Sequence, residues 1–147
     1  MKELLGGDYE RVTGEGKARV RVGFRGTART GDRGTAIAGV CGNAIAGDYG
    51  YAVAGDGGTA VAGDHGSASA GVRGTAEVGD YGAAKADIDG SASAGRGGRA
   101  KVGRGGRVLA GVGGTLRIGN VEGTIGTGGL KNDVFYRLDA AGAFVEE

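Results

Sequence analysis

Residues Gly47–Gly71 read GDYGYAVAGDGGTAVAGDHGSASAG. Glycines recur along this stretch, alanine fills alternate positions between them, and proline is absent. Such a stretch is either low-complexity chain that never folds or a repeat in which each glycine has a place. Octads cut from Gly23 decide for the repeat. They run GFRGTART, GDRGTAIA, GVCGNAIA, GDYGYAVA, GDGGTAVA, GDHGSASA, GVRGTAEV, GDYGAAKA, DIDGSASA, GRGGRAKV, GRGGRVLA and GVGGTLRI, twelve units without an insertion. Position 1 is glycine in eleven of them, with Asp87 the exception, and position 4 is glycine in all twelve. Positions 6 and 8 supply 24 residues, of which 18 are alanine and the rest are Thr30, Val78, Val102, Val108, Leu116 and Ile118. Two degenerate units, GDYERVTG and EGKARVRV, precede them and keep Val12, Val20 and Val22 at positions 6 and 8.

Composition alone points the other way. With 37 glycines in 147 residues the chain resembles a disordered or fibrous protein. Against disorder stand a net charge of only +1 and an apolar share of 39%. That share is mostly alanine and valine, with three phenylalanines and no tryptophan, too small for a conventional globular core. Within an octad, positions 5–8 alternate variable with small apolar residues, the period of a strand. The four residues before them read as a turn, with glycine expected to supply backbone angles closed to other residues. One strand and one turn bury nothing alone, whereas stacked copies do. The fold class expected is therefore all-β, a β-solenoid of octapeptide repeats held by ladder hydrogen bonds and close-packed alanine layers. Residues 1–14 read as an N-terminal cap with the degenerate first repeat, 15–118 as the solenoid and 119–147 as a C-terminal cap.

Position 2 favours two octads per coil over three. Alternate units carry Asp32, Asp48, Asp64, Asp80, Arg96 and Val112, and the others carry Phe24, Val40, Asp56, Val72, Ile88 and Arg104. Two octads per 16-residue coil thus give one acidic and one largely apolar edge. A triangular coil of three would group Asp32, Asp56 and Asp80 and leave its other classes mixed. The two-octad stack from 15 to 118 stands roughly 30 Å tall at about 4.8 Å per layer.

These octads resemble the repeats of bacterial ice nucleation proteins, which pair into 16-residue coils. They are more similar to short phage and prophage proteins built on G-T-A-x-A-G-D-Y octads. Those end in a segment like Tyr136-Arg137-Leu138-Asp139 followed by Gly142, Phe144, Val145 and Glu146. The resemblance covers nearly the whole chain and implies a phage or mobile-element origin, with no established activity.

Open solenoid ends expose strand edges and need covering. The octad slips after Ile118, and Val134–Glu146 reads as a β-hairpin bearing Phe135, Tyr136 and Phe144. Val108, Leu116 and Ile118 enlarge the last core layers where this hairpin would dock. Leu4 and Leu5 are placed to cover the first coil.

The sequence offers little chemistry. His65 is the lone histidine, at a turn, and Cys41 the lone cysteine, on the other set of turns, so no Cys–His nucleophile pair follows. One cysteine also excludes an internal disulfide. GDYG and GDGG resemble calcium-binding β-roll turns, but the period is eight and the second ligating aspartate is missing, so each aspartate is expected to cap the N–H groups of its own turn. GRGGRAKVGRGG has its glycines in octad register and lacks the Lys-Ser/Thr of a phosphate loop. No enzyme activity, metal or cofactor is expected.

Binding is the remaining class. Tyr49, His65 and Tyr81 should stack beside the aspartate row, while Tyr51 and the position-7 residues Ile37, Ile45, Val53 and Val61 should point outward. Charge is segregated along the chain. Residues 16–31 hold five bases and no acid, 32–89 have net charge −5, and Arg96, Arg99, Lys101, Arg104, Arg107 and Arg117 form a basic stretch. The reading drawn from these features is a non-catalytic binding protein that docks on a host protein or protein–nucleic-acid complex, with counter-defence, including CRISPR inhibition, as its concrete form. Competing readings are a virion fibre or spike tip, a nucleic-acid-binding solenoid and an ice-binding solenoid, the last lacking the flat Thr-x-Thr row. A homodimer is a further expected association. There is no apolar run long enough for a bilayer span and MKELLGGDYE is not a signal peptide, so the expected setting is the host bacterial cytoplasm, or the virion for a structural part.

Overall fold

The computed structural model describes residues 3–147. Their strands, in chain order, are β1 (Glu3–Leu5), β2 (Arg11–Thr13), β3 (Arg19–Arg21), β4 (Thr27–Arg29), β5 (Thr35–Ile37), β6 (Asn43–Ile45), β7 (Tyr51–Val53), β8 (Thr59–Ala62) and β9 (Ser67–Ala70). There follow β10 (Thr75–Val78), β11 (Ala83–Ala86), β12 (Ser91–Ala94), β13 (Arg99–Val102), β14 (Arg107–Ala110), β15 (Thr115–Ile118), β16 (Val121–Thr124), β17 (Tyr136–Leu138) and β18 (Phe144–Glu146). Each octad contributes its positions 5–8, or the first three of them, as a strand. Odd-numbered strands β1 to β15 stack into one sheet and even-numbered β2 to β14 into the other. Partners are parallel and sixteen residues apart, as in Tyr51↔Ser67 and Ala60↔Ala76. The chain is thus a β-solenoid of two octads per coil and about seven turns, which settles the choice against the triangular coil.

The core is the expected file of small residues. Ala36, Ala44, Ala52, Ala60, Ala76 and Ala92 have no exposed surface, and position 8 is nearly as closed. Small side chains suit positions 6 and 8, which the two sheets of a coil turn toward each other, and Val20, Val78 and Val102 are buried at the same positions. Thr30, where most octads have alanine, is buried with its hydroxyl unpaired.

The octad register reaches back to the first described residue. Leu4 lies in β1 opposite Val20 and packs half-buried against the core, but Leu5 points outward and is exposed, so it covers nothing. At the C-terminal end the chain reverses. β16 returns antiparallel along β15, and β17 and β18 form a hairpin whose first strand lies antiparallel to β14. The hairpin stands where the sequence places it, and β16 is an additional strand outside the octad pattern. Its signal was the Gly119-Asn120 pair between two apolar segments, a two-residue hairpin turn, and Gly119 takes φ 58° there. Beneath these strands Val108, Leu116 and Ile118 are buried, joined by Ile125 and Tyr136. The Tyr136 hydroxyl accepts from the Lys131 N–H at 2.7 Å. Lys131 also pairs with Glu146 at 3.0 Å, and that carboxylate holds its ammonium above the ordinary value.

Candidate interaction surfaces

Two rows of turns flank the sheets. Edge A carries the turns that begin at Gly31, Gly47, Gly63, Gly79 and Gly95, and edge B those that begin at Gly23, Gly39, Gly55, Gly71 and Asp87. Each turn closes with the position-4 N–H donating to the position-1 carbonyl, 3.1 Å from Gly66 to Gly63. The residue at position 3 then donates upward to the next coil, His65 to the Asp80 carbonyl at 2.8 Å.

The glycines do a different job from the one expected. Positive φ falls at position 3, which is Tyr49 (55°), His65 (55°) and Tyr81 (58°) as often as Gly57 or Gly97. Positions 1 and 4 are glycine because neighbours leave no room for a Cβ. One on Gly63 would lie 2.8 Å from the Asp48 nitrogen and 3.0 Å from its Cα; one on Gly66 would lie 2.8 Å from Ala62 Cβ and 3.1 Å from the Gly50 carbonyl. Close approach of successive coils, rather than dihedral freedom, fixes these positions.

The aspartates differ from expectation too. Asp48 Oδ1 accepts from the N–H of Asp64, one coil on, at 2.8 Å, and not from its own turn. Asp8, Asp32, Asp56, Asp64 and Asp80 do the same for residues sixteen further along. Each carboxylate therefore staples one coil to the next and pairs an N–H that the turn leaves free. Among the described residues no group of three His, Cys, Asp or Glu is arranged to hold a metal ion.

On edge A the rings align as the sequence indicates. Tyr49 and His65 stack with centroids 4.9 Å apart and 5° between planes, and His65 and Tyr81 with 5.3 Å and 11°. The Arg33 guanidinium lies over the free face of Tyr49 at 5.8 Å. Tyr81 leans over the next coil at Gly97, where a Cβ would meet its ring at 2.6 Å. Tyr49 and Tyr81 are each 59% exposed. Their faces are occupied by one another, so the ladder presents ring edges, hydroxyls and the imidazole nitrogens.

The fold does not require rings at position 3. Glycine serves there at Gly57, Gly97 and Gly105, whereas a residue with a Cβ in the left-handed region costs roughly 1–2 kcal/mol. Arg25, Arg33, Cys41, Arg73 and Asp89 bear the same cost at position 3, so what sets Tyr49, His65 and Tyr81 apart is their rings stacked on successive coils.

Edge B forms a second surface, an apolar ridge that the position-2 pattern foreshadowed without its residues being singled out. Phe24, Val40, Val72 and Ile88 stand on successive coils interrupted by Asp56, and all are exposed, from 37% at Val72 to 53% at Ile88. Tyr9 meets Phe24 edge to face at 5.7 Å and Arg25 covers the ring at 5.3 Å. Cys41 is exposed on this edge, across the molecule from His65.

The sheet faces take the outward aliphatics in pairs. Ile37 lies opposite Val53, with exposed Tyr51 two residues before it, on the odd-numbered sheet. Ile45 lies opposite Val61 on the other. All four aliphatics are half-buried by neighbouring rows. The basic stretch is divided. Lys101 pairs in register with Arg117, beside Arg99, on the odd-numbered sheet. Arg96 sits on edge A and Arg104 on edge B. Arg107 is on the other sheet, paired with Glu147 at 3.6 Å and lying over Phe135 at 4.6 Å.

No family model, curated protein or solved structure matches the chain.

Proposed function

We propose that this chain is a non-catalytic binding protein of phage or mobile-element origin that docks on a host protein complex, with inhibition of a defence complex as its concrete form. The observation that supports this most is the edge-B ridge. Phe24, Val40, Val72 and Ile88 have no part in the core, yet they keep large apolar side chains in water along one straight line. An exposed row of apolar side chains on a rigid frame, here broken once by Asp56, suits protein recognition, and aromatic and arginine side chains such as Phe24 and Arg25 are common anchors in it. The outward Ile37, Tyr51 and Val53 widen the same argument to one sheet face.

The test is affinity capture from bacterial lysate, with and without a CRISPR–Cas system expressed, beside a Val40→Asp, Val72→Asp control. A captured complex is then rebuilt from purified parts and its activity measured. The reading requires recovery that the control loses, and loss of activity in the rebuilt complex. Equal recovery by both chains, or an unimpaired complex, counts against it.

A further inference from the structure

Edge A reads nearly the same in both directions. Outward from His65, position 3 holds Tyr49 on one side and Tyr81 on the other, and position 2 holds Asp48 and Asp80. One coil further the two directions differ: Asp32 and Arg33 stand on one side, Arg96 and Gly97 on the other. That difference is one of opposite charge and opposite size. We infer that edge A is the interface of a two-fold dimer, in which a second copy of this chain lies antiparallel along it with the two His65 residues at the axis.

A two-fold axis normal to the sheets, just beyond edge A, reverses the order of coils. It brings Asp32 against Arg96 of the partner subunit and sets Arg33, which lies over Tyr49, opposite Gly97 of the partner subunit. It sets Tyr49 against Tyr81 of the partner subunit, so the two ladders meet by their edges and hydroxyls. At the first strand position beside edge A, exposed Tyr51 meets the small side chain of Ala83 of the partner subunit. Acids also face one another, Asp48 against Asp80 of the partner subunit and Asp64 against itself at the axis, and each has one oxygen already bound to a main-chain N–H. The parallel alternative would set Asp32 on Asp32 and Arg96 on Arg96, and electrostatic complementarity selects against it. From Asp32 to Arg96 the strip is roughly 20 Å long at about 4.8 Å per coil. A strip this short and one turn wide falls at the small end of specific interfaces, where weak and transient associations lie.

Sedimentation velocity across ~1–200 µM, a range that covers weak association, should show a reversible dimer. The variant Tyr49→Gly, Tyr81→Gly keeps the fold, since glycine already serves at position 3, and should weaken the dimer at least tenfold. Arg96→Asp should weaken it as well. In a Cys41→Ser background, Asp32→Cys with Arg96→Cys should crosslink two chains on oxidation. Within one chain those positions are four coils apart, about 19 Å, so no internal disulfide competes. A monomer throughout the range overturns the inference. So does a dimer indifferent to the loss of both tyrosines, or one in which the 32–96 pair never crosslinks.

Discussion

Replacing Gly63 by alanine, beside the same change at Gly57, separates two explanations of the glycines. If dihedral range is what makes a turn glycine necessary, Gly57→Ala should be the harmful change, because Gly57, at position 3, has φ 66° and Gly63, at position 1, has no positive φ. Packing gives the opposite order. Around Gly57 a Cβ meets only the Cys41 Sγ, at 3.3 Å, the end of an exposed side chain that can swing away. The left-handed cost remains, roughly 1–2 kcal/mol, and Tyr49 and His65 show that the backbone sustains it. Around Gly63 a Cβ would lie 2.8 Å from the Asp48 nitrogen and 3.0 Å from its Cα, and would also displace the carboxylate that staples Asp48 to Asp64. Ordinary carbon contacts need about 3.5–4.0 Å, so the coils must part by about half an ångström or more. The neighbouring ladder bonds resist this, with Ser67 donating to the Gly50 carbonyl at 2.9 Å and Tyr49 to the Asp64 carbonyl at 2.9 Å.

Overpacking of this kind costs about 3 kcal/mol at the upper end of its usual range, and losing the staple adds about 1 kcal/mol. Gly63→Ala should therefore cost about 2–3 kcal/mol more than Gly57→Ala. At a urea slope of about 2 kcal/mol/M this is a difference of roughly 1 M or more in midpoint. Far-UV circular dichroism in urea measures it, with equal slopes for both variants as the condition for comparing them. Equal midpoints, or a lower one for Gly57→Ala, would refute the close-approach account of position 1.

Other consequences can be checked on the same instrument. Ala60→Leu places three extra carbons between sheets at a site with no exposed surface; about 1–3 kcal/mol of stability should be lost, whereas Val61→Leu on the outer face should change little. Asp64→Ala leaves the Asp80 N–H without its 2.8 Å acceptor and should cost about 1 kcal/mol. Asp64→Asn, which keeps a carbonyl at the same place, should recover most of it. Tyr136→Phe removes the acceptor of the Lys131 N–H and should cost about 1 kcal/mol, while Tyr136→Ala empties the buried cap and should cost about 3–5 kcal/mol.

Much of this architecture could be read from the residues because a repeat states the same fact many times. Alanine at positions 6 and 8 gave the inward face, and the alternation of Asp48, Asp64 and Asp80 with Val40, Val72 and Ile88 gave two octads per coil. What a single octad cannot show is what happens between coils. The Asp48 carboxylate could be assigned to its own turn or to the next coil from sequence alone, and the geometry of Asp64 above it decides. Likewise, glycine at position 1 is compatible with a special dihedral or with a near neighbour, and only the Asp48 backbone beneath Gly63 distinguishes them. Beyond Ile118 the repeat ends and its redundancy with it. There Gly119-Asn120 is the one local signal for β16, a weaker one than the hairpin pattern at Tyr136–Glu146. The ring ladder was legible because sixteen-residue spacing alone stacks Tyr49, His65 and Tyr81. The edge-B ridge showed in the same position-2 pattern, but its exposure depends on the turn conformation, which the sequence does not print.

The two edges face opposite ways, and this constrains how dimerisation and docking combine. A two-fold contact along edge A leaves both edge-B ridges on the far sides of the dimer, pointing apart. One flat partner surface cannot meet both ridges, so no avidity arises from the pairing. A dimer would instead join two partner complexes at a ratio of two chains to two. Loss of Tyr49 and Tyr81 should then halve the assembly seen by light scattering and leave the affinity of each ridge unchanged, whereas Val72→Asp should abolish docking and leave the dimer intact. If the tyrosine variant loses docking as well, the ladder itself touches the partner, and the division of labour between the edges is wrong.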